Sequence, residues 1–104
     1  MKHYVVSVSE KVFDEIDSIS DFIISVSTPE HAIRYKNQLI AEIKTLSYLA
    51  DAIAFSDWKT AKECHPQAKR LITQNKKWNV VFHIDGDYVI IDKLIPSKLV
   101  KNKV

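Results

Sequence analysis

The sequence predicts an α+β domain, a helical hairpin packed on one face of a mainly antiparallel four-stranded sheet, in the order β-α-α-β-β-β. Three observations lead there. Apolar residues recur every three or four positions from residue 12 to residue 50, the spacing of helices with one buried face. From residue 78 to residue 84 they alternate at every second position, and Asp85-Gly86 follows as a hairpin signal. A short β-branched run, Tyr4-Val5-Val6-Ser7-Val8, opens the chain. Helices with apolar stripes must bury them, and a sheet face is the surface on offer.

Each element follows from its residues. Val5 to Val8 reads as the first strand. Ser9 can cap a helix, with Glu10, Asp14 and Glu15 near the positive end of its dipole. Val12, Ile16, Ile19, Ile23 and Val26 line one face of that helix, and Phe13 and Phe22 widen the stripe. Ser27-Thr28-Pro29-Glu30 stops it and starts another. Thr28 is the cap, and Pro29 fits the first helical position, where its missing N–H costs nothing. The second helix is expected to run to about Leu49. Ala32, Leu39, Ile43, Leu46 and Ala50 form its seam, with Tyr35, Ile40 and Leu49 alongside. So short a link makes the pair an antiparallel hairpin.

Residues 51–68 show no clean period and read as a loop anchored by Phe55 and Trp58, with Pro66 marking irregular backbone. Arg70-Leu71-Ile72-Thr73 reads as a strand, and Gln74-Asn75-Lys76-Lys77 as a polar turn. Trp78, Val80, Phe82 and Ile84 share one face of the next strand, and Asn79, Val81, His83 and Asp85 the other. Tyr88 to Ile95 returns as the last strand, ended by Pro96.

Composition bounds the function. The 104 residues argue for one domain over 1–104. No apolar run approaches the roughly 18 residues that span a membrane, and the opening lacks a signal-peptide pattern, so the expected compartment is the cytoplasm. The one cysteine, Cys64, excludes an internal disulfide, and the one glycine, Gly86, excludes a glycine-rich phosphate loop. Charge is uneven. Residues 1–57 carry 5 Lys/Arg against 9 Asp/Glu, while residues 58–104 carry 10 against 4. A basic half suits a polyanion, although lysines on strands commonly just face water.

The order and spacing of five stretches resemble the RelE/ParE superfamily of toxins from bacterial type II toxin–antitoxin modules. These are Tyr4-Val5-Val6-Ser7-Val8-Ser9, Thr28-Pro29-Glu30-His31-Ala32, Lys69-Arg70-Leu71-Ile72, Trp78-Asn79-Val80-Val81-Phe82-His83-Ile84-Asp85 and Tyr88-Val89-Ile90-Ile91-Asp92-Lys93-Leu94. The resemblance covers nearly the whole chain. It implies a toxin held by a cognate antitoxin, with no cofactor or metal, no membrane, and no specific DNA binding without the antitoxin. Three activities are compatible with it. The first is ribosome-dependent mRNA cleavage, in which the ribose 2′-OH attacks the neighbouring phosphate. The second is poisoning of DNA gyrase with no catalytic site. The third is a diverged, non-toxic member that only binds an antitoxin.

Cleavage needs a proton acceptor and cations to hold the phosphate. The resemblance makes Arg70 and Lys98 the phosphate binders. His83 is the proton-transfer candidate because imidazole exchanges protons near neutral pH, and Lys69, Lys76, Lys77 and Lys93 are candidates for contact with RNA. The chain departs from the family where an arginine follows the third-strand aromatic, since Asn79 stands there. Neutral asparagine cannot offset a phosphate. Each candidate also has a structural reading. Arg70 would pair with Asp85 or Asp92, Lys76 and Lys77 would be solvated, and His83 would be a structural strand histidine. Trp78 would be core or partly buried rather than a base-stacking platform. Cys64-His65 lacks a third metal ligand, and adjacent residues rarely face each other, so neither metal binding nor a thiol nucleophile is expected.

Overall fold

The computed structural model describes residues 2–97. The elements are β1 (Val5–Val8), α1 (Glu10–Val26), α2 (Pro29–Lys44), α3 (Leu46–Leu49), a 3-10 turn at Ala50–Ala52, α4 (Lys59–Cys64), β2 (Lys69–Ile72), β3 (Trp78–Asp85) and β4 (Tyr88–Pro96). The caps act as read from the sequence. Ser9 Oγ accepts the Val12 N–H at 3.3 Å, and Thr28 Oγ1 accepts the His31 N–H at 3.1 Å, each satisfying a donor that the first helical turn leaves free.

The strands form one sheet in the order β1-β4-β3-β2. β1 runs parallel to β4, with Val5 opposite Tyr88, and the other two pairings are antiparallel. Gly86, at φ +61°, begins the two-residue turn from β3 to β4, a backbone region that glycine enters without steric cost. Further along, Val81 pairs with Lys93 and Phe82 with Ile91. Asp92 is therefore an extra residue, a bulge that re-aims its side chain.

The second helix breaks earlier than its apolar period suggests. α2 stops at Lys44, and the Thr45 hydroxyl bonds back to the Glu42 carbonyl. Such back-bonding competes with the helical ladder and bends it. α3 follows, and its Ser47 carbonyl accepts the Tyr4 N–H at 2.7 Å, which holds β1. Val12, Ile16, Leu39, Ile43 and Leu46 bury against Val80, Phe82, Val89, Ile91 and Leu94.

The other sheet face is covered as well. Trp58, Ala61 and Ala68 bury Val81 and Ile95. The segment read as an aperiodic loop thus carries α4, a helix too short to show a period. Of its two expected anchors only Trp58 is buried. The Phe55 ring is exposed, and it is the backbone of that residue that bridges to Lys69. Phe13, Phe22 and Val26 are also exposed and do not widen the buried stripe, because the sheet covers only the centre of the α1 face.

One polar atom is out of balance. Glu15 Oε1 is buried without a hydrogen-bond partner. Burial pushes its carboxyl pKa up, against a downward pull from Lys11 and Lys93. The fold therefore holds the Glu15 proton more tightly than the unfolded chain does. That contribution is present at low pH and is lost as pH rises through the raised pKa. Glu15→Gln is expected to stabilise the protein at neutral pH, because the amide carries no charge to bury. Urea melts at pH 7 and pH 4 check this, the gain shrinking at the lower pH.

Candidate functional site

Alternation along β3 sends Asn79, Val81 and His83 to the α4 side of the sheet, and β-pairing lines up their neighbours. Arg70, Val81 and Lys93 form one row across three strands. Two residues further along β3, His83 Nδ1 meets Asp92 Oδ2 at 2.8 Å, both side chains largely buried. The bulge at Asp92 makes this pair possible. The His65 ring, just past the end of α4, stacks face to face on His83 with centroids 3.8 Å apart and planes 3° apart. The Arg70 guanidinium lies 5.3 Å from the Trp58 ring centre, a cation–π arrangement.

The Cys64 thiol belongs to the same neighbourhood. Desolvation of the sulfur pushes its pKa up. Asp92 and Glu63 add to this, while Lys93 and Lys11 oppose it. A raised thiol is a poor nucleophile at neutral pH. Among the described residues no group of three or more His, Cys, Asp or Glu side chains is placed to hold a metal ion. No helix there is long and apolar enough to cross a membrane.

A second concavity lies under the tip of the hairpin, with a volume of about 830 Å³. Ile19, Phe22 and Val26 of α1 form one wall, and Trp78 and Pro96 at the strand ends form another. Lys76 and Lys77 stand at its rim, and among the described residues no acidic side chain lines it. The rim is fixed from below. Glu42 Oε2 accepts the Gln74 N–H at 3.0 Å, and Tyr35 Oη accepts Trp78 Nε1–H at 2.7 Å.

This β-α-α-β-β-β architecture has a counterpart among solved structures. A chain described as "Chromosomal ParDE TA system from P. aeruginosa" superposes with a TM-score of 0.77 at 17% sequence identity, over 90% of this chain and 96% of that one. The fold is ParE-like. No protein-family model and no curated protein matches the sequence.

On this ParE-like scaffold the residues expected to bind RNA do not form one surface. Lys69 departs most from expectation. It pairs with Phe82 and so points to the hairpin side, where it is only 7% exposed and its Nζ donates to the Ala50 carbonyl at 2.9 Å. Its ammonium ties the 3-10 turn to β2 and is withdrawn from any phosphate. Lys76 and Lys77 sit at the groove rim, and Lys93 is exposed on the opposite side of the sheet from Lys69. Arg70 makes no ion pair with Asp85 or Asp92 and lies by Trp58 instead. Lys98 lies outside the described residues. His83 does share a site with a carboxylate, and an imidazole held by Asp92 has a fixed orientation suited to proton transfer. Nothing in the sequence announces His65 as its companion, since only the packing of α4 on β3 brings the two rings together.

Asn79, standing where the resemblance leads one to expect an arginine, has a structural role of its own. It is 2% exposed, and its Nδ2 donates to the Ile95 carbonyl at 3.3 Å and to Ser97 Oγ at 3.2 Å. The side chain fastens the start of β3 to the end of β4 from within the packed layer.

Proposed function

We propose that this chain is the toxin of a type II toxin–antitoxin module, one cytoplasmic domain over 1–104, and that it acts by binding DNA gyrase in the ParE manner. The observation that carries this reading is the fate of Asn79. Where a cutting relative presents an arginine to phosphate, this chain has a buried neutral side chain spent on two structural bonds. The withdrawal of Lys69 and the cover of Trp58 and α4 over the sheet support the same reading. A toxin that binds needs no preorganised charge at a reacting phosphate.

Induction of the protein alone in bacteria tests it. Thymidine incorporation is expected to fall before methionine incorporation, and purified protein with gyrase is expected to give cleaved plasmid. One observation favours a second reading, ribosome-dependent mRNA cleavage. The His83–Asp92 pair and the half-buried Arg70 are the groups such chemistry would use. Methionine incorporation falling first, with loss of the effect in Arg70→Ala and Lys98→Ala, would establish that reading. Harmless expression of soluble protein would point to a member that only binds its antitoxin.

The antitoxin is the expected occupant of the groove under the hairpin. Phe22 is 65% exposed there, and the lysine rim suits an acidic amphipathic segment that folds on docking. Phe22→Lys is expected to weaken antitoxin binding about 30-fold, in the range of an interface anchor, with the melting curve unchanged. Titration calorimetry reads both partners.

A further inference from the structure

The outer edge of β1 carries none of the usual guards. The strand order puts β1 outermost, beside β4. Val5 donates its N–H to the Asp87 carbonyl at 2.9 Å. In a parallel pair the backbone groups of successive residues point alternately toward the neighbour and away from it. Val5 and Ser7 therefore face β4, and Tyr4, Val6 and Val8 turn outward. The Ser47 carbonyl takes the Tyr4 N–H at 2.7 Å. Past that bond, among the described residues, no strand lies against Val6 and Val8. Edge strands are commonly blunted by lysine, proline or a bulge. Val5-Val6-Ser7-Val8 has no charge and no proline, and its register with β4 runs without a shift.

There is room beside this edge. The hairpin buries Val80 and Phe82 of β3 and Val89 and Ile91 of β4. Over β1 it leaves a concavity of about 320 Å³ between Val6 and Val8 of the strand and Phe13 and Ile40 of the helices. Phe13, in its wall, is 45% exposed. On the other face of the strand Val5 and Ser7 are exposed.

A strand that fits here is short, uncharged and β-branched, with a small residue at its centre. The opposite edge of the sheet, β2, has another character, since it carries Lys69 and Arg70 and is bridged by Phe55. β1 meets the description itself. A twofold axis through Ser7 lays the β1 of a second copy antiparallel to the first. Val6 then lies opposite the partner's Val8 and exchanges both backbone bonds with it, and the axis repeats the exchange. The valine side chains of each copy enter the mouth of the other's concavity. Ser7 meets the partner's Ser7 on the axis, where neither bulk nor charge opposes approach. Glu10, at the head of α1, comes level with the partner's Tyr4 and beside the partner's Lys2, so opposite charges meet along the seam.

We propose that two copies of this chain associate through antiparallel pairing of their β1 strands, joining their sheets into one. The seam shares no residue with the groove under the hairpin tip, so the dimer stands apart from the toxin reading.

Ser7→Cys in a Cys64→Ser background tests the register, the exposed native thiol being removed first. Residues opposed in this way have Cα atoms about 4.5 Å apart, within the disulfide range. Mild oxidation of the full chain is expected to link most of it as a reducible dimer. Val5→Cys, exposed on the same face but off the axis, is expected to link about tenfold less. Sedimentation equilibrium reads the parent directly. A seam this short belongs with weak contacts, so a Kd of about 10 μM is expected. Ser7→Lys sets two ammonium groups against each other and should weaken the dimer about tenfold. A parent still monomeric at about 200 μM, or Val5→Cys linking as readily as Ser7→Cys, would overturn the dimer and leave the edge to a strand of another protein.

Discussion

Replacing Asn79 by arginine is expected to destabilise the protein by about 4 kcal/mol and to confer no RNA cleavage. The substitution introduces the residue that the resemblance to the RelE/ParE superfamily leads one to expect at this point of the third strand, so it looks like a repair. The surroundings of Asn79 decide otherwise. The side chain is buried, and its amide bonds the Ile95 carbonyl and Ser97. A longer side chain overfills a packed layer, at about 1–3 kcal/mol. An arginine there also buries a charge without a carboxylate, which costs several kcal/mol more unless the chain rearranges. Domains of this size are stable by only about 5–15 kcal/mol, so the loss is a large part of the total. A urea melt reads it as a midpoint shift at constant slope. An Asn79→Arg protein that melted like its parent and cut mRNA on ribosomes would mean that the sheet face is open and the gyrase reading mistaken.

Phe82→Ala is the second large effect, with an expected cost of about 4 kcal/mol. Phe82 is fully buried on the hairpin side, paired with Ile91 beside the bulge that separates it from the Val81–Lys93 pair. Removing the ring leaves a cavity between Val12, Ile16 and the sheet, and the bulge limits how far the strands can close it. Val81→Ala is the informative comparison. Val81 is equally buried but faces Trp58 and Ala61, and fewer atoms are lost, so about 2 kcal/mol is expected. Guanidinium melts followed by far-ultraviolet dichroism separate the two. If the proposed toxin function holds, growth inhibition should fall with the folded fraction of Phe82→Ala and return when the temperature is lowered.

The hairpin and the sheet were legible because their signals are local and periodic. Val12, Ile16, Ile23, Leu39 and Ile43 repeat over many turns, and Trp78 to Ile84 alternate over a whole strand. The second cover was not legible. Trp58, Ala61 and Ala68 are three residues without a shared period, and α4 has fewer than two turns. The break at Thr45 depends on one hydroxyl turning back on the helix, which an apolar seam running on to Ala50 conceals. The site was misread in part for a related reason. A strand lysine normally faces water, so the bond from Lys69 to Ala50 follows only from knowing which face of β2 meets the hairpin. Asp92 reaches His83 because of a bulge, and Tyr88 to Ile95 carry no turn residue that would announce one.

The parallel pairing of β1 with β4 has a bearing on how the protein comes into being. Val5 and its partner Tyr88 stand 83 residues apart in the chain. Contacts so distant along the chain form late, after the loop-closure entropy has been met. A chain emerging from the ribosome can build its hairpin before β4 exists, but β1 must wait for that distant partner. Until then the hairpin's apolar face has no sheet beneath it, a state prone to sticking. The newborn protein therefore passes through an interval in which it is exposed but not yet finished, and a helper that binds apolar helices would meet it then.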